Sequence, residues 1–360
     1  MPVYPGELTK ELRDRLALVS VGGSLFSHPD WFAHLARASP PMDGHIDYIV
    51  SGDPARVDSP IACLPIVSHR KGMTRTITAL SNFYSPIFSP MLMAGAEHAL
   101  SEELARFVSE RGASPDLIDL HPLDPASRFF EATQLALKKR GYWTDSYYCF
   151  GNWHLEVQGR SYAQYFSGLT SKIRKNAPRS ARRLTELGAT FKLITDATDL
   201  EWAINAYLGV YLKSWKHPEP YPDFIPGLCR LAAEKSWLRL GILSLGNVPL
   251  AAQIWLVKDG LASIYKLAYA EDFAKYSAGT MLTCEMMRHV IDVDKVRTVD
   301  YGMGDDPYKQ EWMSHRRERV GIVAFNKRRP LGILTASRHF LGKFARRCLT
   351  RWRSAHGNTR

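Results

Sequence analysis

The chain has 360 residues, 45% hydrophobic and 23% charged, so it is long enough for two domains that each bury a core. This composition excludes an intrinsically disordered protein. The net charge is +11, but residues 316–360 hold 13 Lys/Arg and one acidic residue, Glu318. The remainder is therefore close to neutral, which argues against a uniformly basic nucleic-acid-binding surface.

The cysteine and histidine patterns limit the chemistry further. The five cysteines are far apart and form no Cys-x-x-Cys pair, which indicates reduced thiols. The histidines show no zinc-binding spacing, so no metal is predicted, and no Gly-x-Ser-x-Gly element indicates a serine nucleophile. The N-terminus does not resemble a secretion signal, and no apolar run reaches the ~20 residues that span a bilayer, so we expect a cytoplasmic protein.

The first half of the chain alternates between predicted strands and helices. Strand patterns cover 46–50, 61–67, 76–83 and 117–120. Helical periodicity covers 97–111 and 128–139, each ending at a glycine, and 142–157 is rich in strand formers.

The second half shows the same order. A basic helix at 161–187, interrupted at Pro178, precedes a strand at 190–194 and helices at 200–215 and up to 235. A hairpin at 238–245 and 250–257 turns at Gly246-Asn247. Then follow a strand (261–270), a polar loop (271–276), a helix (278–291), a strand (296–301) and a helical turn (308–313). Because 76–139 has this order too, we infer two copies of one α/β unit.

The junction before the helix at 278 has the character of a phosphate site. A helix N-terminus exposes unpaired amides at the positive end of its dipole, and small residues allow a phosphate to approach the backbone. The expected contacts are Lys275, Ser277, Ala278, Gly279 and Thr280. An ordinary serine cap explains the same pattern.

Several short motifs follow one another in a specific order. They are Ser214-Trp215, the turn 246–252, Ser277-Ala278-Gly279, the acidic segment 300–305, and Tyr308-Lys309-Gln310-Glu311-Trp312. In this order, residues 154–325 resemble the GNAT-like acyltransferase family that includes CelD-type cellulose-biosynthesis acetyltransferases, BioF2-like proteins and the related FemAB ligases.

The resemblance implies an α/β (α+β) fold with tandem GNAT-like halves, each a mixed, mostly antiparallel sheet flanked by helices. The implied domains are a degenerate GNAT-like domain (1–150), a GNAT acyltransferase domain (151–328) and a basic tail (329–360). It also implies acetyl-CoA or a longer acyl-CoA as co-substrate. FemAB-like relatives use aminoacyl-tRNA, and Gly279 lies one residue later than in the usual GNAT loop, so the donor stays open.

In such a family the acyl group would lie where the strands 261–270 and 296–301 separate. The predicted catalytic residues are Asp300 and Asp305, either of which could deprotonate or orient the acceptor, and Lys309, which could stabilise the carbonyl oxygen. Carboxylates that cap a turn and a solvated lysine are the plain alternatives.

Substrate contacts are predicted from both sides of this cleft. The candidates are Trp215, Gln253, Tyr265, Lys266, Tyr301, Tyr308 and, from the first half, Tyr84. Packing in the core explains several of them equally well, above all Tyr308 with Trp312 at helical spacing. The face formed by Lys172, Lys175, Arg179 and Arg182 either meets an acidic acceptor or CoA phosphate or is simply solvated.

The tail is predicted to be a basic amphipathic helix. Its apolar stripe consists of Leu334, Leu341, Phe344, Cys348 and Trp352. Such a helix either binds an anionic membrane surface or packs on the protein itself.

Three functions therefore compete. The first is acyl-CoA-dependent transfer to an amine or hydroxyl of a cell-envelope polysaccharide or lipid precursor at the inner membrane face. The second is aminoacyl transfer from tRNA to a peptidoglycan precursor. The third is a non-catalytic scaffold at the membrane.

Overall fold

The computed structural model describes residues 3–20, 23–53, 61–110 and 114–356, and side chains up to 346. The strands are β1 (Val3–Pro5), β2 (His45–Ser51), β3 (Ala62–Lys71), β4 (Thr74–Ala79), β5 (Met91–Leu92), β6 (Leu117–Leu123), β7 (Tyr142–Glu156), β8 (Ala189–Ile194), β9 (Leu238–Leu245), β10 (Val248–Lys258), β11 (Leu261–Tyr269), β12 (Thr298–Asp300) and β13 (His315–Asn326).

The helices are α1 (Lys10–Val19), α2 (Pro29–Ala38), α3 (Glu97–Glu110), α4 (Arg128–Lys139), α5 (Tyr162–Ser167), α6 (Ser171–Glu186), α7 (Leu200–Leu212), α8 (Phe224–Glu234), α9 (Ala278–Asp292), α10 (Pro307–Gln310) and α11 (Pro330–His356). Short 3₁₀ helices lie at Leu25–Ser27 and Glu271–Tyr276.

The chain forms two compact units. One contains Met1–Val19, Pro41–Cys149 and Arg319–Arg360, and the other contains Ser20–Pro40 and Phe150–Glu318. The predicted boundary near 150 has a counterpart here, whereas 20–40 and 319–328 belong to the opposite unit from the one expected. The domain division at 150 and 328 stays a prediction, because compactness does not test independent folding.

In the first unit the strand order is β1, β2, β3, β4, β6, β13, with β5 paired to β3. The neighbouring strands are antiparallel except β4 and β6, which run parallel on either side of helix α3 in the sequence. Helices α3 and α4 pack on each other, and α3 packs on β2 and β3.

The second unit has the same plan. Its order is β8, β9, β10, β11, β12, β7, and again one pair, β11 and β12, is parallel and is joined through a helix, α9. Helix α9 packs on β9, β10 and β11 together with α5 and α6, and α7 covers the same strands from the other face. The predicted mixed, mostly antiparallel α/β fold is confirmed.

Two local predictions were wrong. The basic helix does not break at Pro178, which lies inside α6; it breaks at Gly168, where α5 ends, and restarts where the Thr170 side chain caps α6. A capping threonine after a glycine thus outweighs the proline. The loop 271–276 is a 3₁₀ helix.

Replacement of Pro178 is expected to stabilise the protein. Its ring is exposed, and it removes one backbone hydrogen bond from the interior of α6. Pro178→Ala should raise the free energy of unfolding by about 1–2 kcal/mol, measured by urea unfolding of the full chain. Arg179→Ala, an exposed neighbour, is the control and should change little. An unchanged or lower unfolding midpoint for Pro178→Ala would contradict this interpretation.

Candidate active site

The parallel strands β11 and β12 separate after three paired residues. Leu261 pairs with Thr298, and the last pair is Ser263 with Asp300. Beyond it, β11 continues to Tyr269 along β10, while Tyr301 donates its backbone N–H to the Trp153 carbonyl on β7 at 2.9 Å. The side of β11 that faced β12 therefore has no described strand partner from Ile264 onward, which leaves a slot in the sheet.

The first unit has a parallel pair of the same kind, but its gap is closed. Strands β4 and β6 pair from Thr76 to Thr78. The chain that follows β4 then bonds back to β6: the Ser81 hydroxyl donates to the His121 carbonyl at 2.5 Å and the Phe88 amide donates to the Pro122 carbonyl at 2.6 Å. Among the described residues, only the second unit thus offers an open slot at its parallel pair.

Helix α9 starts beside this slot with unused amides. Ser277 has a left-handed backbone (φ 55°) and no side-chain cap bond. The first amide of this turn with a backbone acceptor is that of Met281, which bonds the Ser277 carbonyl at 3.2 Å. No described residue accepts a hydrogen bond from the backbone N–H of Ala278, Gly279 or Thr280. Three amides at a helix N-terminus form a site for an anion.

The cationic groups near this corner come from two elements. Lys275 and Ser277 are exposed, and the Lys275 Nζ lies 5.2 Å from the centre of the Tyr276 ring. The guanidinium of Arg183 on α6 lies 4.8 Å from the same ring. The C-terminal part of α6 therefore approaches the 3₁₀ helix that precedes α9 through Arg183, while Lys172 of the predicted basic face pairs with Glu311 at 2.7 Å.

Gln253 does not line the cleft, which corrects the prediction of a substrate contact. Its side chain is 2% exposed; its amide nitrogen donates to Thr283 Oγ1 at 2.8 Å and the Gly279 carbonyl at 3.2 Å, and its oxygen accepts from Trp255 Nε1 at 2.8 Å. Because an unpaired buried amide is costly, this network holds the start of α9 against β10.

The Asp300 carboxylate accepts hydrogen bonds from three groups of the fold. One carboxylate oxygen accepts from Asn152 Nδ2 at 2.8 Å and from the Gly302 amide at 2.7 Å, and the other accepts from Arg317 at 2.5 Å. Arg317 in turn donates to Asn152 Oδ1 at 2.7 Å. Three of the roughly four lone-pair sites of this carboxylate are occupied by these donors, so Asp300 mainly holds the turn after β12 in place and the structure gives no support to the predicted base.

The Asp305 carboxylate is likewise held by hydrogen bonds. Its carboxylate accepts from Trp153 Nε1 at 2.7 Å and from Arg316 at 2.6 Å. The hydrogen bond from Arg316 lowers the pKa of Asp305 below its ordinary value. A carboxylate that holds its proton less tightly is a weaker base, so the predicted catalytic role is not supported here either.

Lys309 holds the loop that follows β12 in place. Its side chain is buried, and its ammonium donates to the Met303 carbonyl, to the Gly304 carbonyl at 3.3 Å and to Asp306 at 3.0 Å. An ammonium has three hydrogens, and all three are used. A side chain on Gly304 would lie 3.3 Å from this ammonium, which explains the glycine. The predicted oxyanion contact from Lys309 is not supported.

The side chains of the predicted aromatic contacts differ in how exposed they are. Trp215 is half exposed and its ring lies 4.7 Å from that of Tyr269 on β11; Tyr308 is 45% exposed and stands edge-on to the buried ring of Tyr301 at 5.7 Å. Tyr265 packs among Phe26 and Trp31. Trp215 and Tyr308 therefore remain candidates for a substrate surface, whereas Tyr301 belongs to the core.

Tyr84 lies in the first unit and is 1% exposed, so it cannot face a cleft as predicted. The segment Asn82-Phe83-Tyr84 folds on itself: the Tyr84 amide donates to Asn82 Oδ1 at 2.9 Å. The local turn carries this tyrosine into the core.

The predicted substrate contact Lys266 belongs to a group of ionised side chains whose other members, Glu219 and Lys216, sequence reasoning missed. Lys266 on β11 forms an ion pair of 2.7 Å with Glu219, both largely buried, and Lys216 precedes Glu219 in the loop after α7. The proline-rich segment 217–222, which follows Lys216, was the available signal, since Glu219 between two prolines has few backbone conformations open to it. In the described part of the chain, no three His, Cys, Asp or Glu residues are grouped to hold a metal ion.

The sequence of the second unit matches a known domain. Residues 171–310 match the family model of the acetyltransferase (GNAT) domain, and the match includes α9, the slot and the loop to α10. No curated protein has a significantly similar sequence.

Solved structures share the fold over nearly the whole chain. FemX superposes with a TM-score of 0.62 at 11% identity, covering 93% of this chain and 99% of its own. L-PGS from Bacillus licheniformis gives 0.56 at 14% identity, with 91% and 95% covered. The C-terminal domain of a putative lysylphosphatidylglycerol synthetase from Agrobacterium fabrum gives 0.52 at 14%, with 92% and 96% covered. These likenesses show the fold, and the domain match supports a transferase with a GNAT-type domain in residues 171–310.

Proposed function

We propose that the protein transfers an acyl group from acetyl-CoA or a longer acyl-CoA to an amine or hydroxyl acceptor. The observation that carries this proposal is the combination of an open slot after Ser263 and Asp300 with three free amides at the start of α9. A donor with a diphosphate and a thioester needs both features.

The donor's diphosphate would bind the amides of Ala278, Gly279 and Thr280, where the helix dipole favours negative charge. Lys275 and the exposed Arg179 and Arg182 on α6 would add cationic charge. The thioester would then enter the slot along β11, where unpaired backbone N–H groups can hydrogen-bond its carbonyl oxygen. Attack by the acceptor forms the new C–N or C–O bond and releases the thiol.

Aminoacyl-tRNA is a second candidate donor, and it has about equal support. The likeness of the fold to FemX and to L-PGS favours it. The basic face of α6 also suits a polyanion, because phosphate contacts supply most of the affinity of a protein for nucleic acid. In that case the acceptor would be a peptidoglycan or lipid precursor rather than an exopolysaccharide.

The tail supports an acceptor at a membrane surface. Helix α11 packs on the rest of the first unit through Ala336. His339 and Lys343 bind Asp145 at 2.8 and 2.6 Å. Leu334, Leu341 and Phe344 of the predicted stripe are 45%, 67% and 66% exposed, while the side chains of Cys348 and Trp352 lie outside the described residues. No helix in the described chain is long and apolar enough to cross a bilayer. We propose a peripheral protein that binds the cytoplasmic membrane face and modifies a cell-envelope polysaccharide or lipid amine.

Introduction of a carboxylate at the start of α9 tests the donor site. Gly279→Asp should weaken acetyl-CoA or long-chain acyl-CoA binding roughly tenfold or more, measured by isothermal titration calorimetry, because like charges repel. The same change favours the helix dipole, so the melting temperature of the free protein should not fall. The uncharged Gly279→Asn is the matched control.

Parallel titration with aminoacyl-tRNA separates the donors. If the wild type binds charged tRNA but no CoA thioester, the second candidate replaces the first. If it binds neither, a non-catalytic scaffold is favoured.

Changes in the exposed stripe of α11 test membrane binding. The double variant Leu341→Asp, Phe344→Asp should lose most of its co-sedimentation with vesicles of anionic phospholipid, because each change removes buried apolar area and adds a like charge at the membrane. Leu212→Asp, at a similarly exposed leucine outside the tail, is the control. Equal sedimentation of both proteins, or none by the wild type, would contradict the peripheral role.

A further inference from the structure

Beside the slot lies a cluster of ionised side chains that the fold leaves incompletely paired. Lys266 and Glu219 form a buried ion pair, and the second carboxylate oxygen of Glu219, Oε2, is buried without a hydrogen bond of normal geometry. The Tyr211 hydroxyl is near this carboxylate, since burial and then Glu219 raise the pKa of Tyr211, but it donates to the His217 carbonyl at 2.8 Å. The hydroxyl of Tyr207 on α7, 1% exposed and electrostatically coupled to Glu219, has no hydrogen-bond partner among the described residues. Unsatisfied buried polar atoms are rare in folded proteins, and a catalytic role is one of the explanations for them.

Lys216 is the third member of this cluster. Its ammonium forms no hydrogen bond with any described residue; it lies 5.7 Å from the centre of the Trp215 ring and 5.9 Å from that of Tyr211. Trp215 packs at an angle of 45° against Tyr269 of β11, with 4.7 Å between the ring centres. Lys216 therefore lies beside a ring that contacts the end of β11, and no described residue accepts a hydrogen bond from its ammonium.

The surroundings of Lys216 favour its neutral form. Burial, and then the charge of Lys266, lower its pKa to about 8; Glu219 opposes this shift and Lys309 adds to it. The other groups on this side are the Tyr211 hydroxyl, which donates to the His217 carbonyl at 2.8 Å, and Asp306, which is paired with Lys309. A neutral amine at pH 8 has a lone pair that can accept a proton.

We propose that Lys216 is the proton acceptor of the acyl transfer and that the Lys266–Glu219 pair positions and tunes it. This inference rests on the proposed function. The acceptor's N–H or O–H bond breaks as its proton moves to the Lys216 nitrogen. The freed electron pair bonds to the acyl carbon, the carbon–sulfur bond breaks, and the thiolate leaves with a proton from the new Lys216 ammonium or from water.

The other charged residues near the slot are engaged by the fold. Asp300 and Asp305 form ion pairs with arginines, and the Lys309 ammonium donates its hydrogens to groups of its own loop. The Lys216 ammonium, by contrast, forms no hydrogen bond or ion pair with any described residue, and its nearest recorded neighbours are the rings of Trp215 and Tyr211. With three lysines nearby, a hydroxyl or a neutral amine fits this position better than an ammonium ion does.

The pH dependence of thiol release tests the assignment. With an acyl-CoA donor and extracted envelope amines or sugars as acceptors, kcat/KM of the wild type should rise with pH through a midpoint near 8, because only neutral Lys216 accepts a proton. Lys216→Gln should lower kcat/KM by roughly 10²–10⁴-fold and remove this limb. Lys213→Gln, an exposed lysine three residues away, is the matched control and should keep both.

A second variant separates proton transfer from a structural role. Glu219→Gln keeps the size of the side chain but removes a negative charge that favours protonated Lys216, so the midpoint should move to lower pH. A purely structural contact would lower the rate without moving the midpoint.

The outcomes distinguish the two proposals. A wild type that releases no thiol from any acyl-CoA contradicts the proposed transfer, and this inference with it. A wild type that is active, with a Lys216→Gln variant that keeps its rate and pH limb, contradicts the role of Lys216 alone. Acylation of Lys216 itself, detected by mass spectrometry on the pathway to product, would make it a nucleophile and overturn its role as proton acceptor.

Discussion

The separation of β11 from β12 is the constraint on which the site depends. Two parallel strands in contact would normally continue to pair, since each additional residue satisfies backbone groups. Here Tyr301 and Gly302 are bound instead to β7, through the Trp153 carbonyl and the Asn152 side chain. Asp300 fixes the turn from inside, and Lys309 fixes the loop from the far end. The slot is thus held open by the residues that sequence motifs had suggested for catalysis.

The two units show how one topology can either keep or lose such a site. Both have a parallel pair joined through a helix within an otherwise antiparallel sheet. In the first unit the residues after β4 bond to β6 and occupy the gap, and Glu97 starts α3 with a negative charge. In the second unit α9 begins with an alanine, a glycine and a threonine. An anion is therefore repelled at one helix start and attracted at the other.

The charged side chains near the slot are of two kinds: ion pairs that stabilise the fold, and a lysine that can take part in proton transfer. Arg316 pairs with Asp305 and Arg317 pairs with Asp300, and these two ion pairs hold the loop after β12 in place. The lysine cluster differs because Lys266 and Lys309 each pair with a carboxylate, whereas Lys216 forms no ion pair with any described residue. Lys216 can lose its proton near neutral pH, which is a common property of groups that transfer protons in enzymes.

The sequence by itself determined the α/β class, the Gly246-Asn247 hairpin, the start of α9 at Ala278 and the basic character of α11, because periodicity, turn residues and caps act within a few neighbouring positions. It did not determine what Asp300, Asp305, Lys309, Gln253 and Tyr84 do, because a motif gives residue type but not hydrogen-bond partners. These side chains meet their hydrogen-bond partners only in the folded chain. The partners include Arg317, Arg316, the Met303 carbonyl and Thr283. The ion pair of Glu219 and Lys266, 47 residues apart, also arises only in the tertiary structure, because burial and the proximity of charges are properties of the packed chain.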